Sequence, residues 1–237
     1  MRSAIVDERI SEKCERSLLL RGFNVIKMKA ANELSSAVLS HPDMLMFAHE
    51  NRIITSADYC ERYSYIFSDI REASPNTDIT FTADVFMHDY PKDAIFNALV
   101  AGGRIFLKED SISDTVISYA KSVGLKTVRV KQGYPACTVL AFGSSAITAD
   151  MGMARAMRKE GIEVTVIENG DIALPPHEYG FIGGCAGVFG KEIFFLGDYR
   201  THRSAGLIES AILSAGFTPI SLSDEPLSDL GRIIFLE

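Results

Sequence analysis

The sequence predicts an α/β fold built from five similar strand–hairpin–helix–strand modules that close into a ring. Three observations support this prediction. Short apolar runs alternate with helical segments, a proline precedes the first run of each module, and a glycine follows most of the helices. Each mark has a physical cause, because a proline costs little before a strand and a glycine ends a helix in the left-handed conformation. The same order in five places predicts a repeated unit.

The stretch from Tyr134 to Ile167 shows the pattern in full. Its first strand is predicted over Cys137–Phe142 and its second strand over 146–149. A helix that stops at Gly161 then leads to a third strand over Ile162–Ile167. Three more modules with the same order span residues 41–83, 90–130 and 175–222, with first strands predicted to begin at Met44, Ala94 and Tyr179.

The fifth module is split between the two ends of the chain. Residues 225–236 supply its proline step and its first strand. Ser3–Val6 supplies the second strand, Gly22 stops the helix, and Phe23–Met28 is the third strand. This division predicts that the N- and C-terminal strands pair, which would close the ring and leave no free sheet edge between modules.

Acidic residues stand at the predicted start of each helix. A carboxylate at this position accepts hydrogen bonds from free backbone N–H groups and faces the positive end of the helix. The sequence therefore predicts five N-caps, at Asp7, Asp58, Asp110, Asp150 and Asp198. Left-handed stops are predicted at Gly22, Gly124, Gly161 and Gly216.

Composition places the chain among ordinary globular proteins. It has 237 residues, of which 47% are hydrophobic and 23% charged. No apolar run approaches the roughly 20 residues that cross a bilayer, and acidic residues interrupt the N-terminus before any signal-like core. We therefore expect a soluble cytoplasmic protein with no membrane partner.

Charge and cysteine spacing argue against two classes of function. The net charge is -7 and no Lys/Arg cluster stands out, so no nucleic-acid partner is expected. The four cysteines are widely spaced and form no C-x-x-C pair, so the sequence predicts no metal site and no cofactor. Cys185 follows a glycine-rich stretch, 180–184, whose glycines are interpreted as allowing close packing of a neighbouring module.

The module order resembles the pentein fold, the five-bladed α/β propeller of the guanidino-group-modifying enzymes. That superfamily includes arginine deiminase, agmatine deiminase, dimethylarginine dimethylaminohydrolase and the amidinotransferases, and a ribosome-binding translation initiation factor shares its fold. The resemblance covers nearly the whole chain. It implies a single domain over residues 1–237 with a ligand-sized pocket at the centre of the ring.

The resemblance also implies a place for the chemistry. In these enzymes a cysteine attacks the guanidine carbon, a histidine transfers protons, and two carboxylates hold the guanidinium nitrogens. Such carboxylates form charge-assisted hydrogen bonds to a planar cation. The groups come from the starts of the first strands, where Asp43 and Asp93 match the paired carboxylates. These starts give the predicted ligand-binding set Asp43, Asp93, Lys131, Gln132, Tyr134, Glu178, Tyr179 and Asp229.

The chain departs from the family at the nucleophile and at the histidine. The family cysteine lies near the C-terminus, whereas Leu230–Leu236 contains none. The family histidine is often followed two residues later by an acid, but Tyr179 stands two residues after His177. Cys137, at a first-strand start, and His177 remain as catalytic candidates, and a buried structural thiol is the competing interpretation of Cys137. His41 is interpreted as a turn residue before Pro42.

Three functions remain open on the sequence alone. The favoured one is binding of a small cationic guanidino- or amino-acid-like ligand in a central acidic pocket, without the usual nucleophile, since acidic lining attracts a cation. The second is a guanidino-modifying hydrolase or amidinotransferase with a displaced cysteine. The third is a non-enzymatic interaction protein that uses the ring as a scaffold.

Overall fold

The structure, a computed structural model, describes residues 2–236. Its strands are β1 (Ser3–Asp7), β2 (Asn24–Met28), β3 (Met46–His49), β4 (Arg52–Ser56), β5 (Asp78–Thr82), β6 (Leu99–Ala101), β7 (Arg104–Leu107), β8 (Lys126–Arg129), β9 (Val139–Phe142), β10 (Ser145–Thr148), β11 (Glu163–Val166), β12 (Ile172–Ala173), β13 (Ala186–Phe189), β14 (Glu192–Phe195), β15 (Thr218–Ser221), β16 (Leu227–Ser228) and β17 (Ile234–Leu236).

The helices alternate with these strands. They are α1 (Glu12–Leu20), α2 (Pro42–Leu45), α3 (Ala57–Arg62), α4 (Ser64–Ala73), α5 (Asp114–Ser122), α6 (Pro135–Thr138), α7 (Met151–Lys159) and α8 (Ala205–Ser214), with a 3-10 turn at Tyr199–Thr201. Within residues 2–236, no helix is both long enough and apolar enough to span a bilayer.

Five three-stranded sheets share one topology. Their orders are β3-β4-β5, β6-β7-β8, β9-β10-β11, β13-β14-β15 and β17-β1-β2. In each sheet the first pair of strands is antiparallel and the second pair is parallel. The α/β class and the repeated module are therefore confirmed. A further two-stranded sheet, β12-β16, was not predicted from the sequence.

The fifth sheet joins the two ends of the chain, as the split module predicts. Strand β1 pairs with β17, and Ser3 lies opposite Leu236 in antiparallel register. On its other edge β1 pairs in parallel with β2. The predicted pairing of the N- and C-terminal strands is confirmed.

Hydrogen bonds at the starts of the first strands link each sheet to the next. Asn97 Nδ2 donates to the Asp43 carbonyl, and the Ala136 N–H donates to Asn97 Oδ1. Backbone bonds then run from Gly184 N–H to the Cys137 carbonyl, from the Arg232 N–H to the Gly184 carbonyl, and from the Asp43 N–H to the Gly231 carbonyl. These five links bring the starts of all five first strands together.

The first strands begin later than the sequence indicates. Met44 and Cys137 lie in the short helices α2 and α6, because Pro42 and Pro135 occupy a first helical turn. The other first strands start at Leu99, Ala186 and Ile234, whereas strand was predicted from Ala94, Tyr179 and Gly231. Ala94, Ile95 and Phe96, for example, are apolar and buried, and a buried turn cannot be told from a buried strand by its pattern.

The predicted aspartate cap is correct for the intended helix only at Asp150, whose Oδ1 accepts hydrogen bonds from the backbone of Gly152 and Met153. Asp198 caps the 3-10 turn that precedes α8, and the N-cap position of α8 itself is Ser204. The other three predictions are wrong, since the N-cap positions belong to Ser11, Ser56 and Ser113. Asp7 instead ends β1 and is fully buried.

The predicted helix stops are confirmed. Gly22, Gly124, Gly161 and Gly216 all have positive φ, at 84°, 74°, 81° and 74°. Only glycine adopts this conformation without a steric penalty, so each of these residues ends its helix at the predicted place.

Candidate functional site

The starts of the first strands surround a cavity of about 380 Å³. It is lined by Ser35, Val38, His41, Asp93, Tyr134, Cys137, Leu174, His177, Glu178, Tyr179, Phe181 and Asp229. Three of these residues are acids, and no lysine or arginine of the described chain is among them. The lining thus combines an apolar wall with carboxylates, a pattern that suits a small cation.

At the inner end of the cavity, His41, Cys137 and Asp229 of its lining form a buried cluster with Asp43, which lies just outside the cavity. We call these four residues the floor cluster. Cys137 Sγ donates a hydrogen bond to Asp43 Oδ2 at 2.9 Å. His41 Nδ1 lies 3.9 Å from Asp229 Oδ1. All four side chains are at most 3% exposed, so water contributes little to their solvation.

Asn97 holds one side of the floor cluster. Its side-chain nitrogen donates to Cys137 Sγ at 3.1 Å and to the Asp43 carbonyl at 3.2 Å. Its side-chain oxygen accepts the Ala136 N–H at 2.9 Å. Asn97 is not among the predicted site residues, although a lone amide inside an apolar run is a usable signal.

Glycines hold the other side of the floor cluster. A Cβ atom at Gly184 would overlap the carboxylate of Asp229, and one at Gly231 would overlap the side chain of His41. A Cβ atom at Gly183 would collide with the carbonyls of residues 136, 137 and 139. The glycine-rich stretch therefore allows close packing, as predicted. Cys185, at its end, is buried and bonds to the Ile182 carbonyl.

His41 lies between two carboxylates that do not reach hydrogen-bond distance. Its Nε2 is 3.9 Å from Asp7 Oδ2, and its Nδ1 faces Asp229 at the same distance. Neither ring nitrogen has a hydrogen-bond partner of good geometry among the described residues. Asp7 itself is fixed by Arg9 and by the hydroxyl of Ser40. The interpretation of His41 as a plain turn residue is therefore incomplete.

Burial is the main cause of the pKa shifts of the side chains in the floor cluster. Desolvation raises the pKa of Asp43 to about 6 and, together with the charge of Asp43, raises the pKa of Asp229 to about 7. Desolvation also lowers the pKa of His41 to about 3. The pKa of the Cys137 thiol is raised well above its usual value by burial and by the two neighbouring carboxylates. Cys137 is thus a protonated thiol, in contrast to an activated nucleophile.

The outer part of the cavity is formed by Asp93, Tyr134, His177, Glu178 and Tyr179, which we call the rim. The Tyr134 hydroxyl donates to Asp93 Oδ2 at 2.6 Å. Asp93 Oδ1 is buried and has no partner among the described residues. His177 and Glu178 are exposed and lie in a turn, so both reach the cavity although a strand would have pointed them to opposite faces.

Three predicted ligand-binding residues lie outside this cavity. Lys131 and Gln132 line a separate cavity of about 470 Å³ beside α7, where Gln132 Nε2 donates to Asp150 Oδ2. Asp43 lies beneath Cys137 and lines a second, smaller cavity of about 180 Å³ together with Arg232. The structure therefore brings together Asp93, Tyr134, Glu178, Tyr179 and Asp229, with the catalytic candidates Cys137 and His177.

A family model described as "Family of unknown function (DUF6873)" matches residues 5–234. No curated protein gives a significant sequence match. Several solved structures do resemble the fold. An amidinotransferase, SxtG, from Microseira wollei is 10% identical with a TM-score of 0.56, and the alignment covers 93% of this chain and 88% of that one.

Two further structures give the same result. The dimethylarginine dimethylaminohydrolase of Pseudomonas aeruginosa, complexed with citrulline, is 10% identical with a TM-score of 0.58, covering 94% of this chain and 91% of that one. An agmatine deiminase of C. jejuni is 7% identical with a TM-score of 0.51, covering 92% and 75%. The predicted resemblance to the pentein superfamily is confirmed at the level of fold.

Proposed function

Because the chain belongs to the family of unknown function DUF6873 and has the pentein fold, we propose that its cavity binds a small organic cation bearing a guanidino or amino group. The similar structures bear the names of proteins that act on guanidino compounds. The proposal carries their class of ligand to this chain and leaves their reactions aside.

The observation that carries this proposal is the state of Asp93. One carboxylate oxygen accepts the Tyr134 hydroxyl, while the other is buried and has no hydrogen-bond partner of good geometry within the described chain. Asp93 is one of the residues that line the cavity. A buried carboxylate oxygen without a donor is unfavourable, and an N–H group of a cationic ligand would satisfy it. Glu178 and Asp229 in the same lining add negative charge.

The binding mode follows from the shapes and charges of the rim. A guanidinium or ammonium group would donate to Asp93, and the ring of Tyr134 would present an aromatic surface beside it. Tyr90 packs against Tyr134 with ring centroids 5.4 Å apart, so this surface is held in place. Glu178, being exposed, would contact the part of the ligand nearer the solvent.

We further propose that the protein functions in the cytoplasm and that its five sheets form one domain over residues 1–237. In this domain the sheets are the blades of a ring. The hydrogen bonds that connect the starts of successive first strands support this arrangement. In such a ring the cavity lies at the axis, where every module contributes at least one side chain and the module over residues 175–222 contributes four.

The protonated, carboxylate-paired state of Cys137 supports binding over catalysis. A thiol acts as a nucleophile when nearby cations lower its pKa, whereas here burial and two acids raise it. The role of Cys137 in the floor cluster is therefore better sought in something other than attack on a guanidine carbon.

The test is a thermal-shift and calorimetric panel of arginine, agmatine, methylated arginines, citrulline and unrelated amino acids. A ligand that binds only the folded state stabilises it by about 2.7 kcal/mol at 100 times its Kd. We expect cationic guanidino compounds to raise the melting temperature and neutral citrulline to raise it less.

The matched variants are Asp93→Asn and Asp89→Asn. Asp89 lies four positions earlier on an exposed loop, with 95% of its side chain accessible. Loss of a charge-assisted hydrogen bond costs about 1.5 to 3 kcal/mol, so Asp93→Asn should weaken binding by about 10- to 100-fold. Asp89→Asn should leave binding unchanged. Equal binding by both variants, or an absence of binding by any cation in the panel, would overturn the proposal.

A further inference from the structure

Three metal-ligating side chains of different chemistry meet in the floor cluster. One ring nitrogen of His41, a carboxylate oxygen of Asp43 and the sulfur of Cys137 all lie within 4.8 Å of one another. We propose that these three side chains bind a divalent transition metal ion of the zinc class. This site is separate from the rim and does not depend on the binding of an organic cation there.

Unpartnered atoms support the site. His41 Nδ1, His41 Nε2 and Asp43 Oδ1 are all buried and have no hydrogen-bond partner among the described residues. Each such atom costs free energy, and native structures contain few of them. Coordination of one metal ion would satisfy a histidine nitrogen and the free oxygen of Asp43 together.

The ligand types select the class of metal. Imidazole and thiolate suit zinc and cobalt, whereas magnesium and calcium prefer sets made only of oxygen atoms. With metal–ligand distances of about 2.0 to 2.3 Å, the ligand atoms of a tetrahedral site lie about 3.3 to 3.8 Å apart. The three ligand atoms lie within 4.8 Å of one another, so side-chain shifts of about 1 Å assemble the set.

A supporting carboxylate stands behind the histidine. His41 Nε2 faces Asp7 Oδ2 at 3.9 Å, and Arg9 and Ser40 fix that carboxylate. A carboxylate on the far nitrogen orients a metal-bound imidazole and strengthens it as a ligand. The other ring nitrogen, Nδ1, points to the side of Asp229 and is the one we assign to the metal.

The cavity provides access and an open coordination position. His41 and Cys137 line the cavity, so an ion can reach them from the solvent. Three protein ligands leave a fourth tetrahedral position free, which is the arrangement of sites that exchange ligands. On binding, the Cys137 S–H bond breaks, a metal–sulfur bond forms, and one proton is released to the buffer.

The test uses cobalt(II) and the whole chain. Titration into protein treated with a chelator should give one bound ion per chain, with a near-ultraviolet thiolate-to-cobalt charge-transfer band and visible bands of four-coordinate geometry. The intensity of the charge-transfer band should correspond to one thiolate. Calorimetry in buffers of different ionisation enthalpy should show release of about one proton per ion.

Matched variants locate the site. Cys137→Ala should remove the charge-transfer band, whereas Cys60→Ser should retain it, because Cys60 lies on α3 away from the floor cluster. Asp7→Asn should keep the band but weaken binding by about 10- to 100-fold, the effect of losing a supporting carboxylate. Circular dichroism would confirm that each variant is folded.

The wild-type protein keeps the proposal falsifiable if a variant fails to fold. Stoichiometric cobalt with a single-thiolate band, and zinc-dependent protection of Cys137 from alkylation as detected by mass spectrometry, would support it. Cobalt binding without a thiolate band, binding that survives in Cys137→Ala, or an absence of binding at micromolar concentrations would overturn it.

Discussion

The floor cluster and the rim are both acidic, but their acids are held in different ways. In the floor cluster, Asp43 and Asp229 are almost completely buried and are fixed by Asn97, by backbone N–H groups and by close-packed glycines. At the rim, Asp93 is 4% exposed and has a single side-chain donor, Tyr134, while Glu178 is exposed. The floor cluster is thus closely packed, as a site for a small ion requires, whereas the rim reaches the solvent through Glu178, as a site for an organic ligand requires.

The largest loss of unfolding free energy is expected when Gly184, beside the floor cluster, is substituted. In Gly184→Ala the added methyl group overlaps the Asp229 carboxylate, and overpacking of this kind costs about 1 to 3 kcal/mol or more. Urea denaturation would measure the loss. Gly206→Ala is the control, because nothing lies within 4 Å of a Cβ atom there and Gly206 is in helix α8. That control should stabilise by about 0.4 to 1 kcal/mol. Equal effects of both substitutions would contradict the close packing of the floor cluster.

The next effect concerns the polar groups themselves. Asn97→Ala leaves the Ala136 N–H and the Asp43 carbonyl without their partner, and a buried unsatisfied group costs about 1 to 3 kcal/mol. Tyr134→Phe removes one hydrogen bond at the half-buried rim, worth about 0.5 to 1.5 kcal/mol. Denaturation midpoints should rank the two variants in this order. If Tyr134→Phe were less stable than Asn97→Ala, the expected difference between the rim and the floor cluster would be contradicted.

A smaller effect is expected at the outermost residue of the rim. Glu178 is exposed and lines the cavity without contributing to its packing, so Glu178→Gln should change the unfolding free energy by less than about 0.5 kcal/mol. The same substitution should weaken binding of a cationic guanidino compound by a few-fold, as measured by calorimetry. A large loss of stability with unchanged binding would show that Glu178 stabilises the fold and does not contact the ligand.

His202, a buried residue outside both the floor cluster and the rim, should affect how stability depends on pH. His202 is 2% exposed, and desolvation lowers its pKa below the usual 6.5, while Asp171 and Glu168 partly oppose this and Arg203 adds to it. Below about pH 6.5 the unfolded chain takes up a proton at His202 that the folded chain does not, so the contribution of His202 to stability should fall as the pH falls towards its folded pKa. The raised pKa values of Asp43 and Asp229 act in the opposite direction, so the effect of His202 is read from the difference between the variant and the wild type.

The corresponding variant is His202→Asn, which should lose this part of the pH dependence in thermal melts between pH 7.5 and 5. His88→Asn is the control, because 71% of the His88 side chain is exposed. If the control alters the pH dependence as much as His202→Asn does, burial is not its cause.

The sequence predicts the outer parts of the modules better than the inner parts. Each glycine stop acts within one helical turn, and its conformational requirement is visible in the sequence, so all four stops are where they were predicted. The starts of the first strands depend on contacts between modules. There Pro42 and Pro135 begin short helices. Asp7 does not cap a helix, as was predicted, and instead faces His41.

The candidate site could be predicted only in part for the same reason. Asp93, Tyr134 and Glu178 were predicted to lie together because the resemblance places functional residues at first-strand starts, and all three line the cavity. The resemblance also places Asp43, Cys137 and Asp229 of the floor cluster at first-strand starts. The position of His41 between Asp7 and Asp229 was not predicted, because no spacing along the chain reveals that these three residues meet. Asn97 is a polar residue in an apolar run, and the sequence gives no sign of the partners it will bond.

The most direct test of the proposed function is a crystal structure of the protein soaked with agmatine at a saturating concentration. We predict the guanidinium group in the cavity, with one of its nitrogens about 2.7 to 3.2 Å from Asp93 Oδ1. A cavity without agmatine, or agmatine bound elsewhere with Asp93 Oδ1 still unpartnered, would contradict the assignment of this pocket as a site for organic cations.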